Sequence, residues 1–322
     1  MKKTIVALIS FIILILIMIV IVSVFSKDLE EPDSDKIYIV ATLFPQYDFA
    51  KQIVGDKGEV KLLVEGGVET HNYEPTAKDM IQILDNADMF LFLGTELEPW
   101  TSTLISSFEG DDIKTCNVSE GIELIKIEEF EERFLNSDIV EDEEHGHHHE
   151  EIYDEHIWLS PKNASIMLDN ILNAICEQDP ENAEYYKANA MAYKEKINKI
   201  DESFKNVVEN AERKEIAVGG EFAYAYLVSE YDINFVSVYK NCGDGEDPSI
   251  ARVKSVIDYI NKNDMHVVYF EELSEGTVAK MIAEETNTEA LVLYTVHNGD
   301  TKTDTYVSLM EKNIENLSKG LK

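Results

Sequence analysis

DPENAEYYKANAMAYKEKINKIDESFKNVVENAERK, residues 179–214, contains no glycine and no proline after Pro180. Apolar side chains recur near helical spacing at Met191, Tyr193, Ile197, Ile200, Phe204, Val207 and Val208. That spacing predicts one helix from Pro180 to about Ala211, roughly 45–50 Å long at a rise of 1.5 Å per residue. Clean heptads are missing, so a coiled coil does not fit. A helix of this length crosses a whole two-part body, and residues 179–212 are read as the link between its halves.

The sequence on both sides repeats one rhythm. Upstream, IYIVATLF (37–44), GEVKLLVE (58–65) and DMFLFLG (88–94) read as strands, with helices over PQYDFAKQIVGD and TAKDMIQILDNA between them. Thr76 with Asp79 three residues later is close to a capping box. Downstream, strands begin at Ile216 and cover 233–239, 266–272 and 289–296. Helices fall over PSIARVKSVIDYINKND and VAKMIAEE, and a last amphipathic helix ends the sequence. Alternating strands and helices predict mostly parallel sheets. The fold class is therefore α/β: two parallel-sheet α/β lobes, 37–178 and 213–322, joined by one long rigid helix. Ligands of open α/β sheets bind beyond the carboxyl ends of the strands.

The 322 residues are 44% hydrophobic and carry a net charge of −35. The length suits about two domains. Such an acid excess repels phosphate and argues against a nucleic-acid partner. Residues 4–26 hold no charge and follow two lysines; about 20 apolar residues span a bilayer. No small-residue cleavage site stands out. Residues 1–26 are thus read as an uncleaved membrane anchor, with the body on the outer face of the membrane, or secreted if the segment is cut. The polar stretch 27–36 is a linker. Cys116, Cys176 and Cys242 form no C-x-x-C pair, which gives no support to a thiolate zinc site.

Four residues are candidates, three of them just after strands and one just ahead of a helix. His71 lies in VEGGVETHNYEPT, after a strand and a Gly-Gly turn. His156 lies in DEHIWLSP, where Ser160 and Pro161 read as a helix N-cap and first-turn proline. Glu221 ends IAVGGE, and His297 follows LVLYTV. Each has an ordinary alternative: a surface or core histidine, or a carboxylate favoured by a helix dipole. Taken together, imidazole and carboxylate suit zinc, manganese or iron. Residues 141–151, EDEEHGHHHEE, carry His145, His147, His148 and His149 among acids. Such a tract builds no core and reads as a metal-collecting loop.

THNYEPT, followed far downstream by DEHIWLSP, the long middle helix and TYVSLMEKNIENL, resembles the metal-binding proteins of ATP-driven zinc and manganese importers, the cluster A-I solute-binding family. The resemblance runs from about Ile37 to Lys322. It implies two α/β lobes with a metal held between them, and a histidine-rich loop as in zinc-type members. It also implies that His71 and His156 are the first two ligands. EFAYAY puts Glu221 at the third place, where zinc-type members carry histidine and many manganese-type ones glutamate. The aspartate usual after the last strand is absent from its obvious place in YTVHNGD; His297 is the substitute, with Asp300 behind it. The family's lipidated cysteine is also absent, and the apolar N-terminal span takes its place.

These readings predict a monomeric, extracytoplasmic binding protein that captures one divalent ion, zinc ahead of manganese, and delivers it to an ABC permease. They predict no enzyme: no H-E-x-x-H and no nucleophile elbow is present. A metal-dependent hydrolase and a surface adhesin are the rival readings.

Overall fold

A computed structural model describes residues 36–127, 130, 153–239, 242 and 248–322, without positions 69, 72, 96, 109 and 111. The expected anchor (1–26), nearly all of the linker and the histidine tract (141–151) lie outside the described residues. Among the described residues, no helix is long and apolar enough to cross a membrane. Residues from Ile37 to Lys322 make one compact unit.

Two four-stranded sheets, both wholly parallel, share one topology. The first contains β1 (Ile37–Ala41), β2 (Gly58–Leu62), β3 (Met89–Phe92) and β4 (Lys114–Asn117) in the order β2-β1-β3-β4. The second contains β5 (Glu215–Val218), β6 (Asn234–Ser237), β7 (Val267–Phe270) and β8 (Glu289–Val292) in the order β6-β5-β7-β8. Strands β1 and β7 are buried along almost their whole length, as expected for sheets covered on both faces. Strand β4 escapes sequence reading because KTCN is four residues long, polar at three of them, and pairs only with β3 at a sheet edge.

Helices α1 (Phe44–Val54), α2 (Ala77–Asn86) and α3 (Thr101–Ser106) belong to the first half. The Thr76–Asp79 capping box is present, with the Asp79 N–H donating to Thr76 Oγ1 at 3.3 Å. Helix α4 (Pro161–Gln178) starts at the Ser160 cap, which accepts from the Asn163 N–H. After a 3₁₀ turn at Pro180–Asn182 comes α5 (Ala183–Glu209), the expected long helix. Its 27 residues span about 40 Å. It is shorter than 179–212 because Pro180 tightens the entry and the backbone leaves helical geometry at Asn210. The second half adds α6 (Ala225–Glu230), α7 (Ile250–Asn263), α8 (Thr277–Thr286) and α9 (Tyr306–Gly320).

Helix α5 packs against α1, α4 and α9 rather than standing free between lobes. Its buried Tyr186, Tyr193, Ile197, Ile200 and Phe204 join Ile39 of β1, Trp158 and Val218 of β5 in one continuous apolar core. Two smaller clusters cover the far face of each sheet. A buried carboxylate also ties the halves: Asp48 of α1 accepts from the Tyr193 hydroxyl of α5 and from the Tyr306 N–H that opens α9. Burial pushes the Asp48 carboxyl up, and these hydrogen bonds pull it only part of the way back.

Candidate metal centre

His71 sits on the loop between β2 and α2. The strand direction continues through Leu63 and Val64, whose N–H groups donate to Ala41 and Thr42. The chain then turns at Gly67, whose φ of +88° falls in the region that favours glycine. The loop is gripped from the second half: Asn298 Oδ1 accepts from the Gly67 N–H at 3.1 Å, and Asn298 Nδ2 donates to the Val68 carbonyl at 3.2 Å. A clamp one residue beyond His297 therefore sets where His71 stands.

His156 caps a single 3₁₀ turn, Ile157–Leu159, whose three side chains are fully buried. Asp154 Oδ1 accepts the His156 backbone N–H at 2.9 Å and lies 3.3 Å from its ring Nδ1. A carboxylate only accepts, so Nδ1 carries a hydrogen, and in the neutral ring Nε2 keeps the lone pair. Nε2 is buried and makes no hydrogen bond.

His297 is oriented through a relay. Glu272, two residues past the end of β7, accepts from Thr295 N at 2.8 Å, Thr295 Oγ1 at 2.9 Å and Val296 N at 3.2 Å. The single hydroxyl hydrogen of Thr295 is thus committed to Glu272. His297 Nδ1, 2.8 Å from Thr295 Oγ1, must then be the donor, so in the neutral ring the lone pair lies on Nε2. Burial raises Glu272 above the ordinary carboxylate range, and the Thr295 and Val296 hydrogen bonds partly offset it. Val296, fully buried, holds φ at +63°, a costly geometry for a β-branched residue at about 1–3 kcal/mol. Strain of this kind beside an oriented imidazole points to a working position. Glu272→Gln puts an amide donor among three donors. If His297 holds a metal ion, this change is expected to lower the ion's affinity about 10–100-fold, measured by competition with a chromogenic chelator.

The three imidazoles converge. Ring centroids lie 5.6 Å apart for His71–His156 and 6.1 Å for both His71–His297 and His156–His297. His156 and His297 are 2% and 4% exposed, and His71 is half-buried. Glu221 follows β5, its N–H donates to Glu271, and its Oε2 accepts from Cys242 Sγ at 3.2 Å. Cys242 enters the group itself: donor atoms of His71, His156 and Cys242 all lie within 4.8 Å of one another. Asp300 stands apart. It is exposed and closes its own turn, accepting from the Lys302 N–H at 2.8 Å.

Cys242 has no C-x-x-C partner, so no cysteine motif marks it. Yet it follows β6 just as His71 follows β2 and His297 follows β8, and that shared position was the available signal. Asp154 and Glu272 gave no local signal. Asp154, Glu155, Glu221, Glu271 and Glu272 together give the region a negative field suited to a dication. Glu155, 3.7 Å from His71 Nε2, is raised by burial and partly lowered by the two histidines.

Comparison with known proteins gives the family. Residues 39–320 match the family described as zinc-uptake complex component A, periplasmic. The chain is 33% identical over 301 residues to the high-affinity zinc uptake system protein ZnuA of Bacillus subtilis, covering 92% of this chain and 91% of that protein. It is 34% identical over 286 residues to the zinc-binding lipoprotein AdcA of Streptococcus pneumoniae, covering 88% of this chain but only 55% of the longer relative. The crystal structure of the Zn(II)-bound ZnuA-like domain of that AdcA superposes with a TM-score of 0.71 at 27% identity, over 89% of this chain and 99% of the domain. Two parallel-sheet lobes and a match over most of the length agree: the chain belongs to the zinc-uptake component A family of metal-binding transport proteins.

Proposed function

We propose that the chain captures one zinc ion at His71, His156 and His297, with Glu221 bordering the remaining position, and hands it to an ABC permease at the outer face of the membrane. The observation that carries this is the convergence of three imidazoles, two of them with Nδ1 held by a fixed partner and Nε2 left as donor. Neutral imidazole nitrogens suit zinc. Glu221 is the feature that favours manganese. Residues 1–26 would hold the monomeric body at the membrane, and the histidine tract would gather ions for it.

Elemental analysis of the purified chain, followed by zinc–manganese competition, tests the proposal. One tight zinc equivalent that manganese does not displace is expected; preferential retention of manganese overturns the metal assignment. Acid should release the ion. Burial lowers the pKa of His156, but Asp154, Glu155 and Glu272 outweigh it and the net shift is upward from 6.5. A proton on Nε2 excludes zinc. Zinc affinity therefore falls as pH drops through that raised value, and the loss sets in above about pH 6.5. The metal-free fold behaves oppositely. Its His156 charge contributes stability fully below the unfolded value of about 6.5, and that stability is lost as pH rises through the folded value. Chelator competition across this window, alongside melting of the metal-free protein, reads both signs.

A further inference from the structure

Cys242 Sγ shares its neighbourhood with ring nitrogens of His71 and His156, all within 4.8 Å of one another. A tetrahedral zinc with bonds of about 2.1 Å to nitrogen and 2.3 Å to sulfur places its donors about 3.4–3.6 Å apart. Inward movement of about 1 Å brings the three to that spacing. His156, 2% exposed, keeps Nε2 without a hydrogen bond while Nδ1 is engaged by Asp154. We infer that Cys242 supplies a thiolate to the captured ion beside these imidazoles, so that Glu221 serves the thiol rather than holding the metal first. This inference rests on the zinc-capture reading and deepens it.

The neighbouring strands support the assignment. Strand β6 pairs in parallel with β5, so their carboxyl ends lie side by side and bring Cys242 against Glu221. The thiol donates to Glu221 Oε2 at 3.2 Å. When the zinc–sulfur bond forms, the S–H bond breaks and its proton has Glu221 as acceptor, then solvent. The other cysteines lie outside this group. Cys176 Sγ is 3.9 Å from the Ala183 carbonyl, and Cys116 Sγ is 3.8 Å from that of Asn170. Burial pushes the Cys116 thiol up to about 12, out of reach of ready metal binding. A thiolate among imidazoles is soft enough to take zinc in preference to manganese, which favours oxygen donors. It thus offsets the carboxylate at Glu221 as a determinant of selectivity.

The reduced full-length protein, loaded with Co(II) as a spectroscopic stand-in for zinc, tests this. One tight cobalt equivalent with a near-ultraviolet sulfur-to-cobalt charge-transfer band is expected. Cys242→Ser and Cys242→Ala should lose the band and lower zinc affinity at least about tenfold, the smaller loss typical of a ligand's outer partners. Manganese affinity should stay within about twofold, since manganese prefers oxygen donors. One tight cobalt equivalent without the band overturns the thiolate while leaving metal capture intact. No tight cobalt or zinc at all overturns metal capture itself. X-ray absorption of the zinc-loaded unsubstituted protein answers even where a variant misfolds. A sulfur shell at about 2.3 Å supports the thiolate, and a shell of nitrogen and oxygen alone overturns it.

Discussion

The His71→Ala/His156→Ala double variant is expected to lose about four decades of zinc affinity. Whole zinc sites contribute roughly 10–16 kcal/mol at neutral pH. Spread over four donors, two of them account for at least about 5 kcal/mol, or roughly 10⁴-fold at 1.4 kcal/mol per decade. These two rings are the nearest of the three pairs, and His156 is the ring with the firmest carboxylate partner. The residual binding should be weak, multiple and carried by residues 141–151. A chain lacking 141–151 should show the converse, with slower loading and the tight ion retained. Competition titrations with a zinc chelator on both variants decide it. Full tight affinity in the double variant sinks the proposed site, and loss of the tight ion in the deletion moves the site to the histidine tract.

Trp158→Ala is the substitution with the largest expected cost to the fold, about 3–5 kcal/mol for removing a buried aromatic ring. Trp158 is fully buried, and its Nε1 donates to the Thr295 carbonyl at 2.8 Å. Its own carbonyl accepts the Tyr306 hydroxyl at 2.8 Å, and its ring lies 5.5 Å from that of His156. It therefore braces the segment bearing His156 against the segment bearing His297. Trp158→Phe keeps most of the volume but drops the N–H. It should cost only about 1–3 kcal/mol, with the Thr295 carbonyl left short of a donor. Denaturant unfolding of the metal-free protein ranks the two. Equal small losses would mean that the bracing lies elsewhere in the core.

Much of this architecture is legible in the amino-acid sequence. The spacing of Tyr193, Ile197, Ile200 and Phe204 marks one buried helix face, and those residues are buried in α5. Thr76 with Asp79, and Ser160 with Pro161, mark two helix starts through turn chemistry that acts within three residues. The long helix is shorter than its periodicity predicts because its ends depend on backbone geometry at Pro180 and Asn210. Strand β4 went unseen because an edge strand of four residues carries too little periodic signal.

His71, Glu221 and His297 are candidates because strand carboxyl ends in parallel sheets share one edge, and His156 because it stands just ahead of a capped helix. Position along the chain therefore carries real information about the site. Position does not say which loops converge. Asn298 clamping the Gly67 turn spans more than two hundred residues, and the Glu272–Thr295–His297 relay joins two loops. Cys242 enters beside His71 and His156, while Asp300 is left on an exposed turn. Most strands and helices, and the junctions where ligands can stand, are readable along the chain, because they follow from contacts within a few residues; strand β4 and the short helix α3 are not. Which side chains meet, which ring nitrogen His156 and His297 turn toward the group and which cysteine stands beside it come from the tertiary fold, because those depend on distances between residues that no local pattern connects.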